Sequence, residues 1–357
     1  LKSLPLLILA AAAAAGEPVL IASPLSWWFP GYVVLPDNTV IYRDVQGAIH
    51  SLDPLDPASD TVIKPDWSAR EHGWEFCGRD GMLRASPDGT MLLFTRNLRI
   101  PDSMQPEEYV PGPAGIFLCS PDGGNTRLVA LTIEVGGGPE FQFTRDGDRF
   151  YGSPILPCPP TPEGMAEYWT GMFLENSEPE SPGYLVNTTD GSRSGGAGGF
   201  LGDGFIPNPW SDLAACGAWP PDLIANAATG ELLLEMTPAD GFFAPVVEQW
   251  VLPDAGLSRD PEGQILRYAD GRIVRNPGPD ISVHGRLADG RFLVSYGCDT
   301  PLMTARADWE TFTVTPEDTF PGTSGLIGSM TQAVELPSGG AVLFRSEEGL
   351  YMVGLQP

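Results

Sequence analysis

Short apolar runs, each ended by a turn of Asp, Gly, Pro or Asn, set the rhythm of this chain. The clearest stretch lies between Arg84 and Leu131. Ser86-Pro87-Asp88-Gly89 precedes Thr90-Met91-Leu92-Leu93-Phe94-Thr95-Arg96. After a proline-rich insertion, Gly115-Ile116-Phe117-Leu118-Cys119 ends in Ser120-Pro121-Asp122-Gly123-Gly124 and is followed by Thr126 to Leu131. Asp caps the backbone of such turns and Gly accepts a positive φ, so each pair of runs predicts antiparallel strands joined by a tight turn.

The same half-pattern, strand–turn–strand, is found six times. It begins at Gly31, at the Asp88-Gly89 turn, at Phe141, at Leu223, at Val283 and at Ala333. A second half-pattern, a third strand ending in a turn, follows each copy: Gly47 to Asp53, Gly115 to Gly124, Gly183 to Gly191, Glu248 to Asp254, Leu302 to Asp308 and Gly349 to Gly354. Repeats of four short strands are the signature of a β-propeller blade. The expectation is therefore an all-β, six-bladed propeller, with seven blades as the alternative if Asp203-Gly204 or Asp240-Gly241 opens another. Outer strands read well at 60–64, 125–133 and 310–315, and less well elsewhere. The last blade runs out of chain after its third strand. Pro18 to Ala22, otherwise unassigned, is expected to pair with Gly349 to Val353 and close the ring, which removes an exposed edge.

The repeats resemble the TolB-like propeller family, whose blades carry a Ser-Pro-Asp-Gly turn between the first two strands. Ser86-Pro87-Asp88-Gly89 matches it unbroken, while Thr144-Arg145-Asp146-Gly147 and Leu287-Ala288-Asp289-Gly290 are degenerate copies. The resemblance spans nearly the whole chain after residue 15. It implies a propeller of the kind found in periplasmic binding and scaffolding proteins and in the propeller domains of larger peptidases.

Composition sharpens this picture. With 46 acidic against 20 basic residues the formal charge is −26, which disfavours nucleic acid and anionic lipid as partners. The 43 glycines and 37 prolines mean many turns, since apolar runs separate them. Residues 1–15, one lysine, a short apolar core and an alanine run, read as a secretory signal too short to span a bilayer. Residues 16–357 then form a single propeller domain, periplasmic or extracellular. In an oxidising compartment, Cys158 and Cys216, on consecutive blades, are the candidate disulfide.

Catalytic signatures are missing from the sequence: there is no Gly-x-Ser-x-Gly, His-Glu-x-x-His, Walker or dinucleotide motif. His50, His72 and His284 fall in different blades and read as ordinary strand or loop residues. The long insertions carry more information, because they should all emerge on one face. They hold Trp67, Trp74, Tyr168, Trp169, Trp210 and Trp219, the candidate ligand-binding residues. Aromatic side chains on exposed loops need something to pack on. The expected function is thus an exported binding propeller without catalysis, engaging a protein, peptide or glycan through this face and needing no cofactor. The alternative is a propeller hydrolase or lactonase. In that reading Asp80, Glu140, Asp222 and Asp280 converge at the channel mouth and hold a Ca²⁺ ion.

Overall fold

The computed structural model describes residues 17–25, 31–64, 70–71, 74–76, 81–99, 113–133, 140–153, 185–194, 204–217, 223–235, 247–252, 255–258, 264–267, 273–275, 281–296, 300–308, 313–327 and 332–355. Among them the strands form antiparallel sheets that follow one another along the chain, and the first strand of each touches the first strand of the next. This is a β-propeller. Seven sheets are present. The ring therefore corresponds to the alternative count, with the additional blade beginning at the strand Gly204–Pro207.

Blade 1 comprises Tyr32–Val34, Val40–Arg43, Ile49–Asp53 and Asp56–Lys64. Blade 2 is built on Leu83–Ala85, Leu92–Arg99, Pro113–Cys119 and Arg127–Ile133. Blade 3 follows with Glu140–Phe143, Arg149–Ser153, Leu185–Asn187 and Arg193–Ser194. Blade 4 is Gly204–Pro207, Leu213–Gly217, Leu223–Asn226 and Glu231–Glu235. Blade 5 is Val247–Leu252, Ala255–Ser258, Gln264–Arg267 and Ile273–Arg275. Blade 6 is Ile281–Arg286, Phe292–Tyr296, Leu302–Asp308 and Thr313–Phe320. Blade 7 has Ala333–Glu335, Ala341–Arg345 and Leu350–Gly354.

The difference in count has a physical cause. Leu223–Asn226 and Glu231–Glu235, read as strands one and two of a blade, are its third and fourth. The two strands before them are Gly-Phe-Ile-Pro and Leu-Ala-Ala-Cys-Gly, whose small residues erase the apolar alternation. Their packing is nonetheless dense: Ala214, Ala215 and Cys216 are completely buried. Small side chains let neighbouring blades approach closely, so the sheet is buried without looking hydrophobic. Cys216 accordingly lies in a strand core and not in a loop; Cys158 lies outside the described residues.

Ring closure follows the expectation. Val19–Ala22 pairs antiparallel with Leu350–Gly354 and forms the outer strand of blade 7, with Val19 opposite Met352 and Ala22 opposite Leu350. Blades 7 and 1 then share one core, in which Ile21, Leu25, Tyr32, Tyr42, Leu343 and Met352 pack together. The Tyr32 hydroxyl lies between the carbonyls of Leu343 and Gln332, at 3.1 and 3.0 Å. Burial pushes this phenol far above its ordinary range, with the Arg345 guanidinium opposing the shift, so it remains a neutral donor.

Turns also lock blade to blade. Gly89 (φ +72°) lies against Pro36 of blade 1, and Gly147 (φ +76°) faces Pro87 of blade 2. Farther round, Arg145 N–H donates to Asp212 Oδ1 (3.0 Å), Ala288 N–H to Glu335 Oε2 (2.6 Å) and Ser338 N–H to Asn38 Oδ1 (2.8 Å). On the outer rim, Gly123 (φ +79°) sits on the Ile63 carbonyl, leaving no room for a Cβ, whereas Gly290 (φ +88°) has nothing near it. Gly290→Ala should therefore lower stability by about 1–2 kcal/mol, the strain of a left-handed non-glycine. Gly123→Ala should cost about 1–3 kcal/mol more, because backbone must move. Equal losses in paired denaturant melts would show that the blade 1–blade 2 contact contributes nothing.

Candidate functional site

The order of strands divides the surface into two faces. Turns joining strands one to two and three to four lie on one face. Connections from strand two to three, and from blade to blade, lie on the other.

The first face is made of short turns whose polar groups bond to one another. In blade 2, the Ser86 hydroxyl donates to Asp88 Oδ1 (2.6 Å), and that oxygen also accepts Thr90 N–H (3.0 Å). Ser120 and Asp122 repeat the geometry at 2.6 Å, as do Thr144 and Asp146. Asp190 accepts Ser192 N–H, and Asp289 accepts both the backbone and Nε of Arg291. These bonds stabilise the ionised carboxylate. The Ser86 hydroxyl holds Asp88 below the usual range, Ser120 does so for Asp122, Thr144 for Asp146 and Ser192 for Asp190. At Asp289 burial acts upward, but the Arg291 bonds and charge outweigh it. Asp212 is raised instead, mainly by burial.

The second face carries the insertions. Blade 2 stands taller here: its second strand runs on to Arg99, and Trp74–Phe76 pairs with that extension, Glu75 opposite Arg99 and Phe76 opposite Leu98. Arg70–Glu71 pairs in turn with Trp74–Phe76. The link from blade 1 to blade 2 thus forms a hairpin on the same edge as the inner strand, above Leu83–Ala85. Arg43, Arg96 and Arg345, three buried arginines, lie at or near this end of the second strands of blades 1, 2 and 7. The Arg43 Nη2 donates to the Thr95 carbonyl of blade 2 at 2.8 Å, and only a glycine fits at Gly81 beside it. Burial lowers the Arg345 guanidinium, with the nearby Tyr32 acting upward. Arg43 thus binds blade 1 to blade 2 beneath the face.

Of the aromatic residues expected to line a site, Trp74 lies in the hairpin of blade 2. Trp67, Tyr168, Trp169 and Trp219 lie outside the described residues. Trp210 is placed elsewhere: it is half-buried in the turn joining strands one and two of blade 4, and its backbone N–H donates to Asn208 Oδ1 at 2.8 Å. That turn belongs to the opposite face. Asn208-Pro209-Trp210 stands where Ser-Pro-Asp stands in blade 2, and Asn208 bonds backbone to backbone with Leu213 as Ser86 does with Met91. With no Asp-Gly to mark the turn, the sequence around Trp210 reads as part of a long loop.

Of the carboxylates proposed for calcium, Glu140 opens the inner strand of blade 3, opposite Ser153. Asp80, Asp222 and Asp280 lie outside the described residues. The strand that follows Asp222 is the third of blade 4, not an inner one. Among the described residues no group of three or more His, Cys, Asp or Glu side chains is arranged to hold a metal.

Histidines are more engaged than the sequence suggested. His50 stacks on Tyr42 (4.7 Å, 19°) and contacts Asp60 and Asp44. His284 is buried, with Nε2 2.7 Å from Ser295 Oγ. The chain separations involved, such as ten residues between His50 and Asp60, only become contacts once strands are paired.

No family model matches the chain, and no curated protein matches it. Solved structures do. The structure of U3-55K is 10% identical over 96% of this chain and 100% of its own, with a TM-score of 0.55. An oligogalacturonate lyase from Vibrio parahaemolyticus is 13% identical, covering 94% of this chain and 80% of its own at a TM-score of 0.45. A protein assigned as TolB from Agrobacterium tumefaciens is 14% identical, with 97% and 96% covered and a TM-score of 0.37. Identities this low bear on the fold alone. Among the described residues no helix is long and apolar enough to cross a membrane.

The engaged carboxylates set an acid limit. Asp88, Asp122, Asp146, Asp190 and Asp289 titrate lower in the folded chain than in the unfolded one, where about pH 4 is usual. Their stabilisation is therefore complete above about pH 4 and disappears as pH falls through the folded values. Asp88→Asn should melt earlier at neutral pH and show a shallower further loss below about pH 4. A parallel acid profile for variant and parent would exclude the turn carboxylate as a cause.

Proposed function

We propose that this chain is a binding propeller that engages a protein, peptide or glycan through the face bearing its insertions, without catalysis of its own. The observation that carries the reading is the asymmetry of the two faces. On one, short turns bond to themselves and to the next blade, and their carboxylates are already occupied. On the other, the chain departs from the minimal blade, and the blade 1–blade 2 link builds a hairpin bearing Trp74 over the inner edge. Insertions on a rigid ring are where propellers can place specific contacts at little risk to the fold. An indole supplies a large flat surface for stacking on a peptide side chain or a sugar ring. The strong net negative charge favours neutral or cationic partners over anionic ones. Export, as residues 1–15 suggest, fits a protein that meets its partner outside the cytoplasm.

Peptide-display and glycan-panel selection against the whole chain provides the probe, and Trp74→Ala provides the contrast. If Trp74 anchors the ligand, the variant should bind the selected probe about 2 kcal/mol or more weakly while melting nearly as the parent does. Loss of about 3–5 kcal/mol of stability with unchanged affinity would make Trp74 a packing residue. Calcium-dependent turnover of an ester or lactone by the parent chain would overturn the non-catalytic reading.

A further inference from the structure

His50 faces a carboxylate from each of its ring nitrogens. Nδ1 lies 3.0 Å from Asp60 Oδ1, and Nε2 lies 3.4 Å from Asp44 Oδ2. Neither carboxylate is free to turn away. Asp60 Oδ2 accepts the Tyr42 hydroxyl at 2.7 Å, and Asp44 Oδ1 accepts the N–H groups of Gln46 and Ala48 at 2.8 Å each. The imidazole itself is held by the Tyr42 ring, directly opposite it in the neighbouring strand. Neutral imidazole has one N–H and one lone pair, so it can donate to only one of these oxygens and must turn its lone pair on the other. Imidazolium donates to both.

We propose that His50 is a proton-operated staple for blade 1. In the protonated form it ties together the second strand through Tyr42, the outer strand through Asp60 and the two–three turn through Asp44. Loss of the proton leaves Nδ1–H on Asp60, the shorter contact, but without the ion pair that reinforced it, and gives up the bond to Asp44, so the two–three turn loosens and the outer strand, Asp56–Lys64, is held less tightly. The effect reaches the ring closure, because the Asp44 backbone bridges to Leu25, just beyond the closing strand. Solvent can deliver the proton: the side chains of His50, Asp44 and Asp60 are 14, 22 and 37% exposed. Among the described residues, the titratable groups facing the ring are Asp44, Asp60 and Tyr42. Lys64, farther along the outer strand, instead interacts with Asp122 of blade 2. The Tyr42 phenol is pushed well up by burial first and then by its bond to Asp60, so it stays a neutral donor wherever histidine titrates.

The test is hydrogen exchange of the outer strand, corrected for the intrinsic pH dependence, between about pH 5 and pH 8, the range in which histidine changes charge. In the parent chain, protection of the two–three turn, residues 44–49, should fall about tenfold as pH rises, the size expected for losing a charged hydrogen bond, and that of residues 56–64 should fall with it, by less. The blade 6 outer strand, Thr313–Phe320, should not follow. Asp44→Asn keeps both backbone bonds and offers an N–H to Nε2, so neutral His50 is then satisfied on both sides; protection should stay high and flat. His50→Phe keeps the ring stack and should remove the pH dependence. A flat or rising profile in the parent overturns the proposal, as does a fall that persists in Asp44→Asn. Should His50→Phe not fold, the parent and Asp44→Asn still decide.

Discussion

A propeller blade has two faces to bury and no way to bury them alone, so everything in this chain depends on the ring being closed. Closure is made by four residues, Val19–Ala22, added to the edge of the last blade. That small ladder is backed by polar contacts across the same seam. Tyr32 donates across the join, Arg345 is buried beside it, and Asn38 accepts the Ser338 N–H. A four-residue strand would fray if it stood alone. Sharing a core with both neighbours, it becomes part of a cooperative unit.

Given a closed ring, the two faces divide the work. The turn face is a belt in which, among the described residues, turns of neighbouring blades press on one another, through proline on glycine or backbone on carboxylate. Such contacts fix the angle between blades. They also consume the hydrogen-bonding capacity that a ligand would need. The insertion face is relieved of that duty. At its base the buried Arg43 reaches from blade 1 to the Thr95 carbonyl of blade 2, so the ends of these strands form a firm rim. Burying a guanidinium is favourable only where carbonyls and close packing surround it, and the glycine at position 81 serves that packing.

How much of this could be read from the sequence depended on side-chain size. Blades rich in Phe, Leu and Ile, such as blade 2 and blade 7, announced themselves by alternation. The closing strand could be identified by elimination. Blade 4 could not, because Ala214, Ala215 and Cys216 fill space without contrast, and Asn208-Pro209-Trp210 supplies a turn with no Asp-Gly. Trp210 accordingly sits in a strand one–two turn, while Trp74 lies in the connection from blade 1 to blade 2. The His50 cluster was invisible for another reason. Its partners come from different strands, and the chain gives no sign that Tyr42, Asp44, His50 and Asp60 will share one side of a sheet until the register is known.

That cluster also connects the two themes. Blade 1 is the blade on which closure depends, since the closing segment runs directly into it and shares its core. Its outer strand is nine residues long, the longest strand among the described residues, and only one side of it is paired. A long outer strand gains stability from its ladder but exposes an edge, so it needs tethering that a short one does not. Part of that tethering is apolar and permanent: Ile63 packs on the core shared with blade 2, and Gly123 rests on its carbonyl. The remainder is the polar contact between His50 and Asp60, whose strength depends on a proton. Blade 1 thus has, beside the ring's own seam, a tether that solution conditions can reach.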